Sequence, residues 1–399
     1  MASSNAESPK ASRQPTRSPV QPQRLLRLLH RMIDIYSPSG KEQELLGFLH
    51  GFLKKHNITA QRQPLEDGRY NLAIAPDGTE IELALIGHVD TVNAYDLEDM
   101  GFTQEKDQIF GLGAADMKSG CAALIEAYLC LTEAQRRTLP VALILVVGEE
   151  ENGDGAMRLL EDYHFPWALI AEPTQMAPCL AHYGYIESHF TTRGERRHAS
   201  LAKGRVNPVE SMLKGLLALT RHMDTQRPEA VYNIRNLLTS PSGFAVPEWC
   251  EAWMDLHLPP HTPTGMMCAE IEETITATLN EIAENQIEVR FYTIQDGYDL
   301  PQKGLMIETL RDLFARRGLS WQPAAFQSHS DANLLWANGI KPILLGPGSL
   351  AKAHVPDESI RWEEIVSAAE LYYDLINEMF MAKTGTQTRP EPHPRDPGR

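Results

Sequence analysis

Cysteine is scarce in this chain, and its scarcity closes several routes. Five occur in 399 residues: Cys121, Cys130, Cys179, Cys250 and Cys268. None are spaced as Cys-x-x-Cys, so neither a cysteine zinc site nor a redox pair is written here. The odd count reads as reduced thiols in a reducing, cytoplasmic compartment. Positive charge is short as well: 37 Lys and Arg stand against 53 Asp and Glu, a formal net charge of −16. That balance argues against a nucleic-acid or anionic-membrane partner. No apolar run approaches the roughly eighteen residues of a membrane span. The N-terminal segment lacks the apolar stretch of a secretory signal. Residues 1–21, rich in Ser, Pro, Arg and Gln, read as a disordered extension, and residues 383–399 as a disordered tail.

The apolar share of 42 % is that of a globular protein, and its periodicity switches along the chain. Leu25, Leu28, Leu29, Met32 and Ile33 repeat at helical spacing, and Ser37-Pro38-Ser39-Gly40 ends that helix. A second helix is expected over 41–55, then strands over 71–75 and 81–86, and a helix over 119–131 in which Gly120, Ala122 and Ala123 permit close packing. Val141–Val147 and Trp167–Ala171 are continuous apolar runs, as strands buried on both faces require. Strand and helix alternate, which predicts a mostly parallel sheet flanked by helices. From Tyr185 the texture changes. A strand over 185–192, a helix entered through Asn207-Pro208, strands over 250–258 and 287–294 and a helix between them read as β-α-β-β-α-β, a ferredoxin-like α+β insertion. The α/β pattern resumes at Leu305 and closes with a helix over 362–381. The expected organisation is one α/β catalytic domain in two parts, 22–182 and 295–382, split by an inserted module at 183–294.

Five short motifs each close an apolar run with a carboxylate or a histidine. They are Gly87-His88-Val89-Asp90-Thr91, Ala115-Asp116-Met117-Lys118, Gly148-Glu149-Glu150-Glu151, Ala171-Glu172-Pro173-Thr174 and Ala353-His354-Val355-Pro356-Asp357-Glu358. Open α/β sheets place their sites at the carboxyl ends of strands, where these motifs fall. His, Asp and Glu are the donors for hard and borderline divalent ions. Two histidines and three carboxylates make two metal sites if one carboxylate is shared, and a further glutamate is left to handle a proton. His88 and Asp90 share a strand face, so Asp90 can accept the second ring N–H of a metal-bound His88. Of the adjacent Glu149 and Glu150, one can bind metal and the other take a proton. Taken singly each residue has a plainer account: a satisfied strand-end histidine, an aspartate capping a helix, a solvated acidic loop. The set of five is what carries the signal.

On these motifs, over about residues 22–382, the chain resembles the dinuclear zinc amidohydrolases that include acetylornithine deacetylase, succinyl-diaminopimelate desuccinylase, aminoacylase and carboxypeptidase G. Ser37-Pro38-Ser39-Gly40-Lys41-Glu42, Ser330-Asp331-Ala332-Asn333 and Gly346-Pro347-Gly348 extend the likeness. The resemblance implies two divalent ions per chain, zinc with cobalt able to substitute. Asp116 would bridge them, His88 and Glu172 would complete one site, and Glu150 and His354 the other. Glu149 would be the general base and Asp90 the group behind His88. It also implies a homodimer formed through the inserted module, in which His198 reaches the partner's active site and stabilises the oxyanion. Four positions depart from the family: Leu112 stands where Arg is usual, Phe244-Ala245-Val246-Pro247 lacks an Asn, Asp255-Leu256-His257 ends in His where Arg is frequent, and Ser328-His329 replaces Gly-Thr. None is a metal position; they bear on substrate choice. The expected activity is hydrolysis of an amide bond in an N-acyl amino acid. A dipeptidase or glutamate-releasing carboxypeptidase is the alternative within the class, and a non-catalytic binding or scaffold homologue the alternative outside it.

Overall fold

The computed structural model describes residues 18–94, 100–203, 206–280 and 287–384. The readings given above for residues 1–17 and 385–399 lie outside the described residues.

The largest sheet contains β1 (Gln61–Pro64), β2 (Tyr70–Ile74), β3 (Leu83–His88), β6 (Val141–Val146), β7 (Trp167–Pro173), β8 (Cys179–His182), β13 (Tyr298–Asp299), β14 (Ala324–Phe326) and β15 (Lys341–Gly346). Their order is β1-β2-β6-β3-β7-β15-β8-β13, with β14 beside β8. The four central strands, β6, β3, β7 and β15, run parallel, and antiparallel strands finish both sides. β3 and β6 are buried along their whole length, as their unbroken apolar runs require. Helices α1 (Pro22–Asp34), α2 (Gln43–Lys55), α3 (Lys118–Leu129), α4 (Glu133–Thr138), α5 (Asp154–Asp162), α8 (Leu305–Arg316), α9 (Asp331–Ala337) and α10 (Trp362–Thr384) belong to this body. α3 presses onto the sheet at Gly120, where a Cβ would run into the backbone of Ala171. Ser359–Arg361 (β16) pairs with Gln108–Phe110 (β5), which pairs with Thr103–Glu105 (β4), in a separate small sheet.

The inserted elements are β9 (Gly184–Arg193), α6 (Pro208–Gln226), β10 (Val231–Thr239), β11 (Trp249–Leu258), α7 (Thr264–Asn280) and β12 (Ile287–Gln295). The sheet order is β10-β11-β9-β12, all antiparallel, with both helices on one face. A separate apolar cluster, from Ile186 and Phe190 through Met212 and Met254 to Ile271 and Ile275, fills the space between.

Two ends differ from expectation. The chain is anchored before residue 22: Val20 is buried, and the Gln21 N–H donates to Glu126 at 2.7 Å, beside the Arg24–Glu126 ion pair, while Ser18 and Pro19 are exposed. The last helix continues to Thr384. No helix among the described residues is long and apolar enough to cross a membrane.

Candidate metal centre

The candidate ligands sit on backbone with little freedom. β3 ends at His88, and at the preceding Gly87 a Cβ would meet Cys121 Sγ at 2.6 Å. The chain beyond is gripped by the Ser37–Ser39 loop: the Thr91 N–H donates to Ser37 O at 3.0 Å, and Ser37 Oγ donates to Val89 O at 2.9 Å. β6 leads to Gly148, at φ 75°, where any side chain would collide with Asp154 and Arg69. Arg69 joins this turn to the N-terminal loop, donating to both oxygens of the buried Glu42 at 2.7 and 3.0 Å and pairing with Asp154. Those contacts aim Glu149 and Glu150 inward.

Three overlapping groups of ligand atoms form there: His88 with Asp116 and Glu172, Asp116 with Glu150 and His354, and His88 with Glu149 and Glu150. His88 Nε2 lies 3.3 Å from Asp116 Oδ1 and 3.8 Å from Glu172 Oε1. His354 Nε2 lies 3.6 Å from Asp116 Oδ2 and 3.0 Å from Glu150. The two oxygens of Asp116 thus face opposite ways, each toward a different histidine. Glu149 Oε2 is 3.8 Å from His88 Nε2.

Asp90 is placed differently from the simplest strand-face argument. His88 Nδ1 pairs with the backbone oxygen of Asp90 at 3.1 Å, and the nearer carboxylate oxygen is 3.7 Å away. The carboxylate instead accepts from Ser39 Oγ at 2.7 Å and from the Glu150 N–H at 3.1 Å. Asp90 therefore fixes His88 through its main chain and Glu150 through its side chain.

Electrostatically the cluster holds too many carboxylates for its two imidazoles. Burial pushes Glu149 and Glu172 well above the usual carboxyl range, and neighbouring carboxylates add to it while His88 offsets part. Glu150 is raised by burial too, against its bond to His354. Burial opposes charge on His354, yet Glu150 and Asp116 lift it to about 9. Among the described residues Glu172 Oε1 has no hydrogen-bond partner although it is buried. Buried acids in this number are costly without a cation. Oxygen and imidazole donors split by one shared carboxylate suit two divalent ions of borderline hardness. The residues therefore fit a dinuclear centre.

His198 is not brought into this cluster within the chain. It is exposed and caps a short 3-10 turn, where its Nδ1 accepts the Ser200 N–H at 3.3 Å and lies 2.8 Å from Ser200 Oγ. His257 and His329, two of the departures noted above, flank the ring of Tyr185 at centroid distances of 5.2 and 4.7 Å. Sequence reasoning gave no role to Asp331, buried and within electrostatic reach of Glu149 and Glu172, or to Glu358, whose carboxylate accepts backbone N–H groups of the Asp116 loop. Both stood inside quoted motifs, but nothing in their spacing marks them as buried.

A model of peptidase family M20/M25/M40 matches residues 84–378. Acetylornithine deacetylase of Edwardsiella ictaluri is 26 % identical over 355 residues, 84 % of this chain and 90 % of that protein. A tripeptidase from Staphylococcus aureus superposes with a TM-score of 0.76 at 19 % identity, over 90 % of this chain and 99 % of that one. A dinuclear metal binding peptidase of the M20 family from Bacillus subtilis does so with a TM-score of 0.66 at 13 % identity, over 90 % and 98 %.

Proposed function

The chain belongs to peptidase family M20/M25/M40 and is a metal-dependent hydrolase of that family, and from that premise we propose that it removes the acyl group from an N-acyl amino acid by hydrolysing the amide bond. The observation that carries the reading is the divided carboxylate of Asp116, one oxygen 3.3 Å from His88 and the other 3.6 Å from His354. His88 and Glu172 would hold one zinc ion with Asp116, and Glu150 and His354 the other. When bound, the two ions supply Lewis acidity to a carbonyl oxygen and lower the pKa of water. Glu149 is the glutamate left over. It takes a proton from the attacking water and delivers it to the amide nitrogen as the C–N bond breaks. Asp90 keeps His88 and Glu150 oriented from behind. His198 Nε2–H, supplied by the partner subunit, donates to the carbonyl oxygen as negative charge grows on it.

The dimer in this proposal is supported by β10, the edge of the inserted sheet. Val231, Ile234, Leu237 and Leu238 are all more than a third exposed there, as are Leu213 and Leu217 on α6. An apolar edge strand of this length calls for cover. Cysteines without disulfide partners fit a cytoplasmic setting. The deacylase assignment leans on the relatives named acetylornithine deacetylase.

The test is metal content and substrate together. Gently purified protein should carry about two divalent ions per chain. Loaded with Zn²⁺ or Co²⁺, it should cleave acetylated, succinylated or formylated amino acids in preference to dipeptides. Well under one ion per chain with no activation by added metal defeats the metal assignment; preference for dipeptides defeats the deacylase assignment.

A further inference from the structure

Glu358 is a buried carboxylate that the proposed chemistry leaves unused. It follows His354 closely in sequence. Its Oε1 accepts the N–H groups of Ala115 at 2.8 Å and of Asp116 itself at 3.0 Å. Its Oε2 accepts the N–H of Gly113 at 2.9 Å. The main chain joins in: the Gly111 N–H donates to Glu358 O at 3.2 Å, and the Glu358 N–H donates to Val355 O at 3.1 Å. Next to these contacts β16 pairs with β5, Ser359 opposite Phe110 and Ile360 opposite Ile109.

The Asp116 loop has further support: the Leu112 N–H donates to Met100 O at 3.0 Å. Lys118 N–H donates to Gly113 O at 2.9 Å, and Ser119 Oγ donates to Ala114 O at 2.5 Å. Lys118 is fully buried, and its Nζ donates to Ile35 O at 2.9 Å. Gly113 takes φ 79°, where a Cβ would press on Thr91 and Lys118. His354, the ligand on the other loop, is itself at φ 57°, a backbone region that non-glycine residues seldom occupy. Two ligands that must meet the same pair of ions thus lie on loops that share one carboxylate. Hydrogen bonds from several N–H groups to an ionised carboxylate are shorter and stronger than neutral ones. A neutral amide at this position can accept at only one of its two heavy atoms.

We infer that Glu358 is a positioning residue for the metal centre, a tie that sets the Asp116 carboxylate in register with His354 through the backbone of the Asp116 loop. The inference rests on the dinuclear reading above. It makes the shared ligand, and with it both ions, depend on a residue that touches neither.

The experiment titrates metal-free protein with Zn²⁺ against a chelator and records the visible spectrum of the Co²⁺ form, for the wild type, Glu358→Gln and Ile360→Ala. Ile360 is buried in the same small sheet, so its truncation loosens packing without touching the carboxylate. Glu358→Gln should weaken metal affinity by about 10–100-fold, the usual effect of losing a group behind a metal ligand, and should alter the Co²⁺ spectrum. Ile360→Ala should lower the melting temperature but keep wild-type affinity and spectrum. Wild-type affinity in Glu358→Gln overturns the inference, as does an equal loss of affinity in Ile360→Ala, which would mark a role in stability alone. If Glu358→Gln does not fold, Glu358→Asp serves: it keeps the charge, withdraws the oxygens by a methylene, and should lose affinity by a smaller factor. Unchanged affinity there overturns the inference equally. A wild type that binds no metal removes the dinuclear reading itself, an outcome distinct from all of these.

Discussion

The large sheet and the inserted sheet solve opposite problems. In the large one, β3 and β6 are buried on both faces, and the turns beyond them are closed by glycines that accept no side chain and by the Arg69–Glu42–Asp154 network. In the inserted one, only the face under α6 and α7 is buried, and β10 is open to solvent along nearly its whole length. The proposed ligands and base sit on the first kind of backbone, while His198 sits on an exposed loop of the second. Chemistry needs geometry held to a fraction of an ångström. The large domain supplies that rigidity by itself. The inserted module has to obtain it by being covered, and for that reason the partner subunit enters the proposal.

The largest effect expected is at Glu149. Glu149→Gln removes the base while leaving every proposed ligand in place, so metal content should stay near the wild-type value while kcat falls by about 10²–10⁴-fold. Metal analysis beside steady-state kinetics checks both halves. A metal-replete mutant with near-normal turnover would transfer the role to another buried acid, Asp331 being the first to examine.

His198→Ala should cost somewhat less, on the order of 10²–10³-fold in kcat, the typical loss of one oxyanion donor. This substitution separates the two regions. Mixing inactive Glu149→Gln and His198→Ala chains gives hybrid dimers in which one site has both groups, so about a quarter of wild-type activity should return at random exchange. Labelled subunits that visibly exchange without any recovery would place His198 outside its partner's site.

The same contrast explains what could be read without coordinates. The parallel strands were legible because burial on both faces writes an unbroken apolar run. Four of the candidate ligand and base residues were legible because they close such runs, His88 at the end of β3, Glu149 and Glu150 just past β6 and Glu172 in β7, whereas Asp116 and His354 lie on loops; the structure brings all six together. The β-α-β-β-α-β reading requires a fourth strand that was not located, β10, because its register slips between Ile234 and Asn236 and it buries neither face, so no alternation survives in Val231–Thr239. The hold of Asp90 on Glu150 also escaped, since a bond from a side chain to a distant backbone N–H leaves no periodicity. Glu358 is hidden for the same reason: its partners lie more than two hundred residues away along the chain.

The smallest effect expected concerns the junction of the two regions, where His257 of β11 and His329 before α9 enclose Tyr185. An arginine grips a carboxylate by two parallel charged hydrogen bonds at any working pH. His257 cannot: burial holds its imidazole below the usual value of about 6.5. His329 is pushed down to about 4 by burial, helped by the neighbouring histidines. Burial disfavours the charged form of both rings. A cation on this face, Arg235, is occupied, paired with Glu187 and lying 3.3 Å from Asp255. Asp255 also accepts the Tyr185 hydroxyl at 3.1 Å, so pulling Arg235 away would expose two carboxylates. A substrate carboxylate directed at this wall therefore meets neutral rings and a neutralised guanidinium. Replacing the α-carboxylate of an N-acyl amino acid by a carboxamide should lower kcat/KM by about tenfold or less, roughly 1.4 kcal/mol. Because burial lowers the pKa of both imidazoles, raising the pH from 7 to 8 should change the ratio little. A loss of about 10³-fold, near 4 kcal/mol, would mean a full carboxylate clamp elsewhere in the closed site and would sink this account of the wall.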